Sequence, residues 1–291
     1  MQAIGFYLAL PFLYLISILP FPIFYLFSDF VFVMVYYVFG YRKKVVTENL
    51  RNSFPEKSGK EISQLKRRFY RYFCDMSLEI HKTLTISKEA MLKHCKMNDG
   101  SLQLIEKLYA EKRSFIIVMG HQGNWEWGGN TFSILCKHPL YVIYHPLGNK
   151  YFNKLIIWMR TRFGTKLIEM KNTFREMVKM KNETTATAFI ADQSPFPENA
   201  YWTKFLNQDT PVFKGTEIIA RKLNYPIVFI NIKKLGRGRY EMFADMLCEN
   251  PATTSDGEIS EMHTKKLEEE IRKNPETWLW SHRRWKHKKT N

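Results

Sequence analysis

The hydrophobic pattern divides the chain into an apolar leader and a body in which apolar runs alternate with amphipathic stretches. Residues 3–27 carry no charge, and Asp29 is the only charged side chain before Arg42. Such a run is long enough to cross a hydrocarbon core of about 30 Å. Because three prolines interrupt it, the pattern leaves open whether the leader spans a bilayer or forms two segments, with 29–40 lying in the interface. A buried core helix is the remaining interpretation.

An amphipathic pattern follows the leader. Ser58 and Glu61 form a candidate capping box, and apolar residues then recur at three- and four-residue steps from Ile62 to Ile80. We predict a long helix here that packs by one face on the rest of the protein.

The remainder predicts alternating strands and helices. Strands are expected at 115–119, 139–144, 166–170, 185–190, 225–232 and 239–246. Helices are expected at 151–163, 173–181 and 215–223, and a last one follows a second candidate capping box, Ser255 and Glu258, until Asn274 and Pro275 end it. This alternation predicts an α/β fold with a central, mostly parallel sheet flanked by helices.

Charge and cysteine content narrow the class of protein. The net charge of +16 lies almost wholly after the leader, which favours an anionic lipid surface or an acidic carrier as partner. Nucleic acid is the competing partner, but we find no zinc-finger spacing, aromatic RNA-binding strand or basic zipper, and we predict that none binds. The four cysteines are scattered without a C-x2-C pair, as expected of free thiols in a reducing compartment, and we predict no metal site and no cofactor.

Candidate chemistry concentrates in SFIIVMGHQGNWEW, residues 114–127. His121 follows a predicted buried strand, at the edge where open α/β sheets place reactive groups. Glu126 lies five positions on, about 140° around a straight helix, so the backbone must turn for the two side chains to meet. Gly123 and Asn124 allow such a turn. A carboxylate on one imidazole nitrogen leaves the other free to take a proton from a hydroxyl, and N–H groups around Gly123 are candidate oxyanion donors.

The string GHQGNWEW resembles the H-x4-[D/E] signature of the bacterial lipid A late (secondary) acyltransferases, a lauroyl- and myristoyltransferase family of the glycerolipid-acyltransferase-like group. The connector YRKKVVTENLRNSFPEKS and the ending WLWSHRRWKHK are also similar to that family, so the resemblance covers nearly the whole chain. It implies a glycerolipid-acyltransferase-like fold with a membrane anchor at 1–41, a helical connector at 42–100 and a catalytic domain at 101–291.

The resemblance also implies further site residues. Arg162 matches best a family arginine that meets the anionic substrate, with Arg160 as its neighbour. FIADQSP resembles the family's A-x-D-Q element, which places Asp192 and Gln193 in the cleft.

Four further basic residues follow from the same comparison. Lys214 is a possible phosphate contact at a helix start. His282, Arg283 and Arg284, in the H-R-R ending, are expected to be structural or to bind phosphate.

The implied activity is transfer of a fatty acyl chain from an acyl-carrier-protein or CoA thioester to a hydroxyl of a phosphorylated lipid, a lipid A precursor. His121 would be the base and Glu126 its orienting partner, without an acyl-enzyme, because no serine nucleophile elbow is present. The basic cluster after the leader predicts an inner-membrane protein whose catalytic domain faces the cytoplasm. Two alternatives remain: the same chemistry on another phospholipid, aminolipid or glycolipid, and a non-catalytic lipid-binding protein.

Overall fold

The computed structural model describes residues 2–289. The helices are α1 (Gln2–Ile18), α2 (Phe21–Val33, continued by a π-helical turn Met34–Val38), α3 (Lys43–Ser53), α4 (Gly59–Lys82), α5 (Lys88–His94), α6 (Asp99–Ala110), α7 (Trp125–Leu135), α8 (Lys150–Thr161), α9 (Thr173–Lys179), α10 (Gly215–Leu223) and α11 (Glu258–Lys273). The strands are β1 (Cys95–Met97), β2 (Phe115–Met119), β3 (Leu140–Tyr144), β4 (Lys166–Glu169), β5 (Ala186–Ile190), β6 (Ala200–Phe205), β7 (Gln208–Phe213), β8 (Ile227–Gly236) and β9 (Arg239–Cys248).

Seven strands form one sheet in the order β1-β9-β8-β2-β5-β3-β4. The five strands from β8 to β4 are parallel, whereas β9 runs antiparallel to β8 and β1 is parallel to β9. The predicted α/β fold with a mostly parallel sheet and flanking helices is therefore confirmed, while its glycerolipid-acyltransferase-like character and the domain limits at 41 and 100 stay predictions.

Strand β2 is central because apolar cores cover both of its faces. All five of its residues are buried. Ile116 and Val118 belong to the core that contains α4 and α11, and Ile117 and Met119 belong to the core on the α7 side. An uninterrupted apolar run is what two-sided burial requires, so β2 holds the turn after it on a rigid edge.

Helix α4 begins as the sequence predicts. The Ser58 hydroxyl accepts from the Glu61 N–H at 3.3 Å, and the Glu61 carboxylate accepts from the Ser58 N–H at 2.8 Å, which completes the capping box. The second predicted box is wrong as a helix start. Glu258 does accept from the Ser255 N–H at 2.9 Å, but α11 begins at Glu258 itself, after Gly257 with φ of +87°.

The hairpin of β6 and β7 has no counterpart in the sequence prediction. Its two turn residues, Leu206 and Asn207, have φ of 49° and 65°, the left-handed pair of a tight hairpin turn. Leucine rarely adopts that conformation, and the usual Asn-Gly or Asp-Gly signal is missing, so the sequence gives no indication of this turn.

The leader packs on the body as two helices. Within residues 2–289, one helical stretch, Phe21–Val38, is long and apolar enough to cross a membrane by length and composition, and the helix before it is shorter. The four cysteines are free, and burial raises the pKa of the Cys95 thiol to about 12.

Candidate active site

The turn after β2 lies close against strand β8. Gly123 has φ of +64°, and a Cβ there would lie 2.1 Å from the carbonyl oxygen of Ile232. A larger residue would clash with backbone as well as strain the turn. Glycine is therefore required for the chain to pass β8 and enter α7.

The C-terminal segment pairs with the same turn. The Gly123 N–H donates to the carbonyl of Thr277 at 3.1 Å, and the Leu279 N–H donates to the carbonyl of His121 at 3.1 Å. Since its hydrogen is already bonded, the Gly123 N–H is not free to meet an oxyanion, contrary to the expectation from sequence.

The carboxylate that contacts the His121 ring belongs to Asp192. His121 Nδ1 lies 2.5 Å from Asp192 Oδ1, and the His121 backbone N–H donates to Oδ2 at 2.7 Å. The indole of Trp278 donates to Oδ2 at 2.8 Å. Burial alone would raise the pKa of Asp192, but the electrostatic interaction with His121 and these hydrogen bonds together hold that pKa well below its usual range.

This geometry assigns the proton on the imidazole. An ionised carboxylate accepts only, so Nδ1 carries a hydrogen, and in the neutral imidazole Nε2 is then the acceptor. Nε2 lies 3.4 Å from the side-chain nitrogen of Gln193, and both residues line the same cavity. The sequence expectation for Asp192 and Gln193 placed them in the cleft, and the structure brings both to His121.

Glu126 contacts Arg160 instead of His121. The Arg160 Nε lies 2.9 Å from Glu126 Oε2 and 3.2 Å from Oε1, and the Arg160 Nη2 also donates to Oε1. Burial lowers the pKa of Arg160, but the charge and hydrogen bonds of Glu126 raise it overall. The expected orienting role of Glu126 at the imidazole is thus replaced by a role in holding an arginine.

Arg162 does not line this cavity. Its guanidinium donates to the carbonyl of Thr83 and lies over the rings of Trp158 and Phe163, at 5.7 Å and 5.0 Å from their centroids. Of the two candidate arginines, Arg160 is the one at the site.

Asn124 has a structural role at the start of α7. Its side-chain oxygen accepts from the Trp127 N–H at 3.1 Å, and its amide nitrogen donates to Glu79 at 2.9 Å. From below, the Tyr72 hydroxyl donates to the Gly123 carbonyl at 2.6 Å. Sequence reasoning missed Glu79 and Tyr72, although a carboxylate on the apolar face of a predicted helix was a visible signal.

The remaining predicted cations lie outside the cavity lining. Lys214 pairs with Asp256 at 2.7 Å, and Arg283 is exposed. Arg284 is buried behind Asp192, where its Nη2 donates to the carbonyl of Pro211 at 2.7 Å. Burial lowers the pKa of Arg284 to about 10, opposed by the charge of Asp192. Arg284 is therefore part of the packed interior beside the site.

A cavity of about 360 Å³ opens from His121 along the α7 face of the sheet. Its polar groups include His121, Glu126, Arg160 and Gln193, and the sheet and α7 supply apolar side chains. The apolar lining includes Ile117, Met119, Phe132, Leu140, Val142, Ile143, Ala188, Ile190, Ile230, Ile232 and Met242. Across residues 2–289 no cluster of three or more His, Cys, Asp and Glu could hold a metal ion.

A strand-end imidazole with a buried carboxylate, beside a cavity lined mainly by apolar side chains, suits removal of a proton from a hydroxyl next to an apolar chain. The sequence profile of the bacterial lipid A biosynthesis acyltransferases matches residues 1–287, and the chain belongs to that family. The resemblance drawn from the sequence is thereby confirmed, and with it the class of acyltransferase.

Individual relatives have low sequence identity to this chain but align with most of its length. The chain is 23% identical over 250 residues to the lipid A biosynthesis palmitoleoyltransferase of Escherichia coli K12, covering 84% of this chain and 79% of that one. It is 22% identical over 277 residues to the lipid A biosynthesis lauroyltransferase of the same organism, covering 94% and 89%.

Proposed function

We propose that this protein transfers a fatty acyl chain from a thioester, carried by acyl-carrier protein or CoA, to a hydroxyl of a lipid A precursor. The observation that carries the proposal is the His121–Asp192 pair at 2.5 Å, with the other ring nitrogen, Nε2, beside Gln193 at a largely apolar cavity. Membership of the lipid A acyltransferase family supports the substrate class.

In this mechanism His121 Nε2 takes the proton as the acceptor hydroxyl attacks the thioester carbonyl. Asp192 fixes the tautomer and stabilises the imidazolium that forms. The tetrahedral intermediate collapses with cleavage of the carbon–sulfur bond, and the imidazolium returns its proton to the departing thiolate. The products are an O-acylated lipid and a free thiol, so no group is left on the enzyme.

Donors for the developing oxyanion are assigned to the first turn of α7. The leading N–H groups of a helix have no acceptor within the helix, and its positive end favours an anion. Trp125 and Glu126 supply these N–H groups, and Trp125 also packs edge-on against the His121 ring at 4.9 Å between centroids.

Arg160 is assigned to an anionic group of the substrate. Glu126 occupies part of its guanidinium, and a planar guanidinium suits phosphate geometry. The apolar lining receives the acyl chain. The protein would work at the cytoplasmic face of the inner membrane, which the apolar leader and the basic residues after it support.

The test uses purified protein, acyl-carrier-protein thioester and a lipid A precursor, with mass spectrometry of the lipid product. The expected result is one added acyl group, lost in His121→Ala. Unchanged transfer by His121→Ala would overturn the proposed base. A glycerophospholipid acceptor run in parallel would overturn the proposed substrate if it alone gained the acyl group.

A further inference from the structure

The leader helices are attached to the body through polar contacts along one side. The Tyr25 hydroxyl donates to Glu79 at 2.9 Å, and the Ser28 hydroxyl donates to the buried carboxylate of Asp75 at 2.7 Å. Arg237, on the β8–β9 hairpin, bridges Asp29 at 2.9 Å and Asp75 at 2.7 Å. Helix α2 is thus fixed to both α4 and the hairpin.

Helix α1 and the break after it are attached in the same way. The Lys82 ammonium donates to the carbonyls of Ser17, at 3.0 Å, and Leu19. The hydroxyls of Ser17 and Thr85 are 2.5 Å apart. The body of the protein therefore supplies donors to the carbonyls of Ser17 and Leu19, at the end of α1 and just after it.

The opposite side of both helices is apolar and uncovered. On α2 the buried positions Phe24, Ser28 and Phe32 recur every fourth residue, whereas Ile23 and Phe30 are more than half exposed. The exposed apolar side chains of the leader are Ile4, Tyr7, Leu8, Phe12, Tyr14, Leu15, Ile18, Ile23, Leu26, Phe30, Val33, Tyr37, Val38 and Phe39. An apolar face of this extent needs a non-aqueous partner.

A membrane-crossing orientation conflicts with these contacts. The stretch Phe21–Val38 has 18 residues, about 27 Å of helix, so nearly all of it would lie within the hydrocarbon core if it crossed. Its partners Asp75, Glu79 and Arg237 would then enter the hydrocarbon with the charged body attached to them, which membranes strongly disfavour.

We propose that the leader does not cross the bilayer: α1 and α2 lie in the membrane plane, with their outer face in the acyl region of one leaflet and their inner face on the body. The occupant of the apolar face is a bilayer with anionic headgroups. Charge supports this choice, because exposed Arg42 and Lys44 follow the leader directly in a chain of net charge +16.

Depth measurements test the orientation without using enzymatic activity. Ile23, Phe30 and Tyr37 are 55%, 58% and 54% exposed on the outer face, seven residues apart. Each is changed singly to cysteine in the full chain and given a fluorescent label, and quenching is measured with lipids that carry nitroxides at known depths. Vesicles contain phosphatidylethanolamine with or without phosphatidylglycerol, and Tyr109→Cys, on α6, is the control outside the leader.

An in-plane leader gives the same shallow depth at all three positions, no quenching at the control, and stronger binding with phosphatidylglycerol. A crossing helix gives depths that differ by about 10 Å between neighbouring labels, from 1.5 Å of rise per residue, and would overturn the proposal. Absence of lipid quenching at all three positions would also overturn it. Wild-type protein, which lacks the introduced cysteine, is treated with the same fluorescent reagent to measure background labelling of the native cysteines.

Discussion

The side-chain amide of Asn124 donates to Glu79 Oε2 at 2.9 Å, and neither side chain is exposed to solvent. The Tyr240 and Tyr25 hydroxyls donate to the same carboxylate at 2.7 Å and 2.9 Å. Burial raises the pKa of Glu79, and these donors partly offset the rise. Because Asn124 also caps α7, Glu79 positions the turn between His121 and Glu126 without touching either residue.

Exchanging the donor and acceptor of this pair should separate positioning from general stability. We expect Asn124→Asp to lower kcat about 100-fold, because the new carboxylate and that of Glu79 would then face each other at hydrogen-bonding distance in a buried environment. Adding Glu79→Gln to Asn124→Asp should raise kcat at least tenfold above that of Asn124→Asp, since the glutamine amide then donates to the new carboxylate. Steady-state kinetics of the two single variants and the double variant give the coupling. A double variant no better than Asn124→Asp would contradict the positioning role.

Asp192 is expected to act on the rate and not on substrate affinity. Asp192→Asn keeps the shape, but the His121 N–H and the Trp278 indole would hold its one oxygen, which leaves an amide N–H facing Nδ1. That arrangement favours the wrong imidazole tautomer, so kcat should fall about 10³- to 10⁴-fold with little change in KM. Trp278→Phe removes one hydrogen bond to the same carboxylate and should lower kcat about tenfold. If Asp192→Asn retained full activity, the tautomer argument would fail.

The lowered pKa of Asp192 also predicts an acid-dependent stability. A carboxyl whose folded pKa lies below its unfolded value stabilises the fold above the unfolded pKa, about 3.9, and loses this contribution as the pH falls. The difference in unfolding free energy between wild type and Asp192→Asn should be constant from pH 6 to 7 and should shrink below about pH 4. Urea titrations at several pH values measure it. A pH-independent difference would mean that Asp192 is not ionised in the folded protein.

Glu126 provides a test between two arrangements of the site. If it holds Arg160, Glu126→Gln should mainly raise KM for the phosphorylated acceptor, about tenfold, and should add little to Arg160→Ala. If it oriented His121, as the H-x4-E spacing indicates, its loss would lower kcat to the extent that Asp192→Asn does. Kinetics at saturating acceptor distinguish the two.

Ala188 should limit the length of the acyl chain. It pairs with Ile117 and Val142 in the sheet and lines the cavity, so Ala188→Leu fills space beneath His121. We expect the preference for long over short acyl thioesters to fall about tenfold. Competition between thioesters of different length measures the preference, and Ala110→Leu, at an exposed position of α6, is the control.

Much of the site scaffold could be predicted from local pattern. The apolar run of β2, the glycine that ends it and the capping box of α4 each depend on neighbours in sequence. The pairing of His121 with Asp192 does not, because it requires β2 and β5 to be adjacent, with Met119 beside Ile190. Both residues were expected at strand ends, but the sequence of a chain with several strands does not show which strands are neighbours in the sheet.

The sequence contains a local pattern that favours Arg160 at the site, although the family resemblance favours Arg162. Asn153, Ile156 and Arg160 follow at three- and four-residue steps and line the cavity together, as one face of α8 must. Arg162 lies about 200° further around the helix and points to Thr83. Helical periodicity alone therefore favours Arg160.

The packing of α1 on α8 has a consequence for how substrate is encountered. Phe6 stacks on Tyr151 at 5.7 Å and meets Phe152 edge-on at 5.2 Å, at the start of the helix that carries Arg160. With the leader in one leaflet, a lipid reaches the cavity by lateral diffusion, a search in two dimensions. Its effective concentration is then a number of molecules per membrane area. At a fixed thioester concentration, diluting the acceptor with inert phospholipid lowers the rate per enzyme molecule, whereas lowering the concentration of vesicles with bound enzyme does not.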